Sequence, residues 1–118
     1  MILINNIDNL ALPDDIVQLS KLIVEIISPE KLILFGSYAY GQPNSKSDAD
    51  FLALVSNEKI TREDKVKMLT ALYYAAKNSR IKTSYDLFIE TELNAYAALS
   101  NDGAYVDALK RGVEVYVR

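Results

Sequence analysis

The chain has 118 residues, 50% hydrophobic and 25% charged, which suits one compact domain with a genuine core. Its net charge of -3 offers no general attraction to nucleic acid or to an anionic membrane, so a polynucleotide would need a local basic groove or a partner. With no cysteine and no histidine, disulfides, thiolate chemistry, the usual zinc ligand and an imidazole base are all excluded.

Any metal must therefore be held by oxygen, which favours magnesium or manganese. Any general base must be a carboxylate, a lysine, a tyrosine or water.

The N-terminal stretch, Met1 to Leu12, lacks a basic n-region and contains Asp8, so it does not read as a signal peptide. No apolar run approaches the roughly 20 residues needed to cross a bilayer, and a cytoplasmic location is expected. Pro13 followed by Asp14 and Asp15 marks a helix start, with the acids at the positive end of the dipole. Ile16, Leu19, Ile23, Ile26 and Ile27 then share one face, and Ser28-Pro29 ends the helix.

Leu32 to Phe35 is short and wholly apolar, as in a buried strand. Gly36 to Gly41 reads as a turn with room for one helical turn, and residues 42–47 as a polar loop carrying Lys46. Asp50 to Val55 is the second strand. Thr61 to Asp64 resembles a capping box and opens a helix in which Val66, Leu69, Tyr73 and Ala76 share a face. Tyr73, Tyr74 and Tyr96 are expected in the core or at an interface.

Ile81 to Glu90 alternates like a third strand. Short helices are expected near 92–99 and 102–111, with Asn101-Asp102-Gly103 between them and Gly112 as a C-cap. Val113, Val115 and Val117 alternate as a last strand. The pattern predicts an α+β fold, a single mixed sheet with flanking helices. One domain is expected over residues 1–118, with 1–12 as an N-terminal extension.

The chemistry concentrates in residues 32–55. Asp48 and Asp50, two apart on a strand, project to the same face, where their repulsion calls for a cation between them. A divalent ion there could also bridge the phosphates of a triphosphate. Gly36 lets backbone approach a phosphate, Ser37 and the amides after it can donate, and Gly41 lets the loop fold back. Asp86 lies inside the third strand, where a charge is costly without a partner. If that strand neighbours the second, Asp86 joins the other two acids, as a ligand or as the group that takes a proton.

The run G-S-Y-A-Y-G-Q-P-N-S-K-S-D-A-D-F resembles the minimal nucleotidyltransferases (MNT) of the polymerase-beta-type superfamily, whose pattern is Gly-Ser, Ala-Arg-Gly, a short loop and Ser-Asp-x-Asp-hydrophobic. The later Y-D-L-F-I and the ending L-K-R-G-V-E-V-Y resemble that family's third-carboxylate strand and final helix and strand, so the likeness covers about residues 14–118.

The resemblance implies a polymerase-beta-like palm fold. Gly36, Ser37, Gly41 and Lys46 would hold the nucleotide, and Asp48, Asp50 and Asp86 would be the catalytic, metal-binding acids. It implies Mg2+ (or Mn2+), ATP as donor and AMP as the group transferred to an acceptor hydroxyl. Tyr40 stands where the family commonly has arginine, and tyrosine cannot supply that charge; Lys46 or Lys82 are the candidates to replace it. With the catalytic unit filling the chain, a partner protein or a second subunit is expected to complete the acceptor site. That resembles the antitoxin half of HEPN–MNT toxin–antitoxin pairs. The alternative is a weakly catalytic nucleotide-binding or protein-binding module that neutralises a partner by contact.

Overall fold

The computed structural model describes residues 11–44, 46–56, 60–97 and 104–118. Its elements run α1 (Asp14–Ile27), β1 (Lys31–Phe35), α2 (Ser37–Tyr40), β2 (Ala49–Val55), α3 (Arg62–Asn78), β3 (Tyr85–Thr91), α4 (Glu92–Ala97), α5 (Ala104–Arg111) and β4 (Val113–Val117). The strands form one mixed sheet in the order β3-β2-β1-β4. β1 is antiparallel to both β2 and β4, while β2 and β3 run parallel.

The parallel pair follows from α3. Antiparallel strands can turn directly into each other, but parallel ones need a crossover long enough to return the chain to the same end of the sheet. α3 supplies that crossover, and its capping box forms as expected: Thr61 Oγ1 accepts from the Asp64 amide at 3.0 Å, and an Asp64 oxygen accepts from the Thr61 amide at 3.1 Å.

Two apolar layers result. Under α1 and α3, Ile16, Leu19, Ile23, Leu72 and Ala76 pack on Leu32, Leu34, Phe51 and Ala53. On the other face, Ile33, Phe35, Leu52 and Leu54 pack with Ala95 of α4 and Ala108 of α5. The period of two thus divides each strand between two cores.

Several expectations need correction. In α3 the buried positions are Leu72 and Ala76; Val66, Leu69 and Tyr73 are exposed, as are Tyr74 and Tyr96. The reason is angular, because the helix is covered on the one side that meets α1 and the sheet, and that arc reaches Ala76 but stops short of the 66–69–73 stripe.

β3 begins at Tyr85 rather than Ile81. Thr83 and Lys82 are held by α1 instead, their amides donating to Asp15 Oδ2 at 3.1 and 3.2 Å. The helices expected near 92–99 and 102–111 are described over Glu92–Ala97 and Ala104–Arg111, and the Asn101-Asp102-Gly103 break lies outside the described residues.

Gly112 ends α5 without a positive φ; the positive-φ glycine among the described residues is Gly36. Gly112 serves by leaving space instead, since a Cβ there would collide with the Ala108 carbonyl and the Ile33 side chain.

Candidate active site

β1 ends where β2 and β3 begin, so the turn after β1 lies beside the first residues of two further strands. Phe35 is the register partner of Asp50, and Asp50 is the register partner of Asp86. Asp48, just before β2, lies two residues ahead of Asp50 on the same face. The topology thus brings the three acids to one end of the sheet, on the face that α4 and α5 cover.

Asp50 is half-buried, and its carboxyl is held above the ordinary value of 3.8 by that burial, then by the charge of Asp86, then by the charge of Asp48. Among the described residues no ion pair neutralises any of the three. The same residues contain no group of three acids already drawn together tightly enough to hold an ion. The donor set nevertheless fits a divalent metal, because an oxygen-preferring dication would relieve the repulsion that burdens Asp50.

Gly36 makes the arrangement possible in a way the sequence does not reveal. Its φ of 75° and ψ of -156° lie in a region open essentially to glycine alone. A Cβ at Gly36 would also run into Asp50 Oδ2. The glycine therefore makes room for a carboxylate of this same chain. After it, α2 is a single helical turn: the Ala39 and Tyr40 amides donate to the Gly36 carbonyl at 3.0 and 3.1 Å. Gly41 closes back on Ser37, its amide donating to the Ser37 carbonyl at 3.0 Å, and a Cβ at Gly41 would lie 2.9 Å from Ser37 Cα.

Lys46 is exposed on the loop before Asp48, its amide donating to Asn44 Oδ1 at 2.8 Å. Lys82 has its charge near Asp15, where it helps to lower that carboxyl.

Two residues outside the expected set belong to the site's surroundings. Ser84 Oγ donates to Asp48 Oδ1, while the Ser84 carbonyl accepts from the Ala49 amide at 2.9 Å. A period-two reading could have found it, since Ser84 precedes Asp86 by two as Asp48 precedes Asp50. Arg111 is the other: its Cζ lies 4.0 Å from the centroid of the Tyr40 ring, although α5 is remote from α2 in sequence. The Tyr40 hydroxyl donates to Asp107 Oδ2 at 2.6 Å.

A separate surface hollow lies at the opposite end of the sheet, lined by Ile27, Val55, Ile60, Met68, Asp64 and Arg118 among others. It holds none of the residues above.

The sequence profile of the nucleotidyltransferase domain family matches residues 16–115, nearly the whole chain. No curated protein matches. Among solved structures, the fold is similar to a candidate nucleotidyltransferase from Sulfolobus solfataricus, at 20% identity and a TM-score of 0.56, over 93% of this chain and 94% of that one. It is also similar to a chain in a crystal structure of a toxin-antitoxin with AMP-PNP, at 17% identity and a TM-score of 0.52, over 83% of this chain and 73% of that one. At these identities the two neighbours speak for the fold.

Proposed function

The chain belongs to the nucleotidyltransferase domain family, and from that premise we propose that it transfers AMP from ATP, with magnesium, to a hydroxyl on a partner protein. The observation that carries this reading is the state of Asp50. It is half-buried, register-paired with Asp86, two residues from Asp48 and pushed up by both, beside a glycine turn that leaves room for its oxygen. Holding a half-buried carboxylate beside two like charges is costly, and a structural role would have neutralised it.

In this mechanism the Ser37 hydroxyl and the Ser37 and Tyr38 amides, ahead of the amides that close the turn on itself, hold the phosphates and keep the α-phosphorus in line for attack. Asp48 and Asp50 would hold the metal, with Ser84 fixing the Asp48 carboxylate. Bound magnesium would neutralise the three acids and the phosphate oxygens on which charge develops. The acceptor oxygen forms a bond to the α-phosphorus, and the bond to the bridging oxygen breaks with its electron pair leaving on pyrophosphate. The acceptor's proton passes to Asp86, which is exposed at the sheet edge where an acceptor can reach it.

The toxin-antitoxin neighbour with AMP-PNP supports an adenine nucleotide and a protein partner, and the sequence resemblance to minimal nucleotidyltransferases supports a HEPN-type toxin in that role. The test is incubation with α-labelled ATP and magnesium, with and without candidate partner proteins. Label should appear on the partner and disappear with Asp48→Asn or Asp50→Asn; full transfer by either variant would overturn the assignment of the acids.

A further inference from the structure

We infer that Arg111, held over the Tyr40 ring, is the cation that meets the phosphate tail of a nucleoside triphosphate seated on the 36–41 turn. The inference rests on the nucleotidyltransferase reading. Tyr40 closes α2, its amide bonded to the Gly36 carbonyl, and on a helical turn it lies three residues from Ser37, about 5–6 Å between Cβ atoms. Whatever stacks on Tyr40 is thereby attached to the turn itself.

α5 delivers the guanidinium to that place. Its Cζ sits 4.0 Å from the ring centroid, inside the range of a cation–π contact. Asp107, one turn earlier on α5, anchors the ring by accepting from the Tyr40 hydroxyl at 2.6 Å. The ion pair between Arg111 Nη1 and Asp107 Oδ1 is long, at 3.8 Å, beyond ordinary hydrogen-bond range. The stack therefore places Arg111 without consuming its N–H groups. A guanidinium lying over a ring keeps its in-plane donors at the edge, the geometry suited to bidentate phosphate contacts.

The side chain is 60% exposed, so those donors face solvent where a ligand can reach them. Asp107 brings a negative charge to the same cluster, but its Oδ2 is engaged by Tyr40.

Several other cations have acid neighbours of their own. Lys31 pairs with Glu114 at 3.4 Å, Lys65 with Glu90 at 3.7 Å, and the charge of Lys82 lies by Asp15. Lys46 is exposed on its loop, and no hydrogen bond or ion pair joins it to α2 among the described residues. Around three acids of like charge, an anionic triphosphate needs a cation besides the metal, and Arg111 is fastened to the turn through Tyr40.

The experiment is calorimetric titration of the full chain with magnesium plus AMP-PNP, and separately with AMP, for wild type, Arg111→Ala, Arg111→Lys and Tyr40→Leu. Arg111→Ala should weaken AMP-PNP about tenfold, leave AMP nearly unchanged and leave the melting temperature where it was. Arg111→Lys should recover part of the affinity, and Tyr40→Leu, which removes the ring, should match Arg111→Ala. Wild-type AMP-PNP affinity in Arg111→Ala would overturn the inference and leave the nucleotidyltransferase reading standing. Equal loss of both nucleotides together with a lowered melting temperature would also overturn it, by showing a purely structural role. A wild type that binds neither nucleotide would overturn both.

Discussion

Asp15 and Asp50 are both carboxylates near the entrance to β3, and the fold treats them in opposite ways. Asp15, on the first turn of α1, has one oxygen that accepts from the Lys82 amide, the Thr83 amide and the Thr83 hydroxyl, at 3.2, 3.1 and 2.9 Å. The Thr83 hydroxyl bond leads the effects that hold its carboxyl below the ordinary value of 3.8, outweighing desolvation. Asp50 is more deeply placed, faces two further acids and is pushed above that value. The first is an acid used to join a helix to a strand. The second is an acid kept uncomfortable, the state expected of a group awaiting a cation.

The sharpest way to break the contrast is to neutralise each side. Asp50→Asn should lower nucleotidyl transfer by about a thousandfold or more, while Asp15→Asn should leave the rate constant within about threefold, its carboxylate being spent on the chain itself. Single-turnover label transfer measures both, and comparable losses would erase the distinction.

Gly36→Ala acts on Asp50 from the other side. It should cost about 1–3 kcal/mol of stability, read as a shifted urea midpoint at constant m, and it should displace Asp50 enough to abolish nucleotide binding. Retention of both would mean the turn relaxes more freely than its φ of 75° implies.

Asp15→Asn should cost roughly 1 kcal/mol, with a characteristic dependence on pH. A carboxyl lowered in the folded state contributes stability that is present above the unfolded value of 3.8 and is lost as pH falls through the folded one. Urea midpoints of wild type and variant should therefore converge as pH falls below 3.8 and through the lower folded value; a constant offset down to low pH would mean that charge is irrelevant at this joint.

Asp50→Asn should do the reverse and slightly stabilise the metal-free protein at neutral pH, by roughly 0.5–1 kcal/mol. Its carboxyl is raised in the folded state, so the ionised form costs stability above the folded value, and the cost vanishes below the unfolded one. The gain should therefore disappear as pH falls below 3.8. A destabilised variant at pH 7 in the absence of metal would show that Asp50 is structurally satisfied after all.

The local features of this site are legible in the chain. Asp48 and Asp50 share a face because strands alternate, the Thr61 to Asp64 box caps α3 because its atoms are neighbours along the backbone, and α1 starts at Pro13-Asp14 for the same reason. The α3 surface was harder to read: Val66, Leu69 and Tyr73 have helical spacing, but spacing does not say which arc the rest of the molecule covers. The late start of β3 depends on Asp15 claiming two amides from a distant helix, which no window around residues 81–84 contains.

By itself the sequence determined the composition of the candidate site: oxygen donors only, two acids in alternation, a third in a later strand and a glycine turn ahead of them. These follow from residue type and short-range geometry, which act wherever the chain goes. Tertiary structure decided what meets what. The α3 crossover sets β3 parallel to β2 and so puts Asp86 opposite Asp50. The same packing sets Gly36 against the Asp50 carboxylate and lays Arg111 over Tyr40. Those contacts join residues far apart in the chain, and only the burial of both faces of the sheet fixes the register that brings them together.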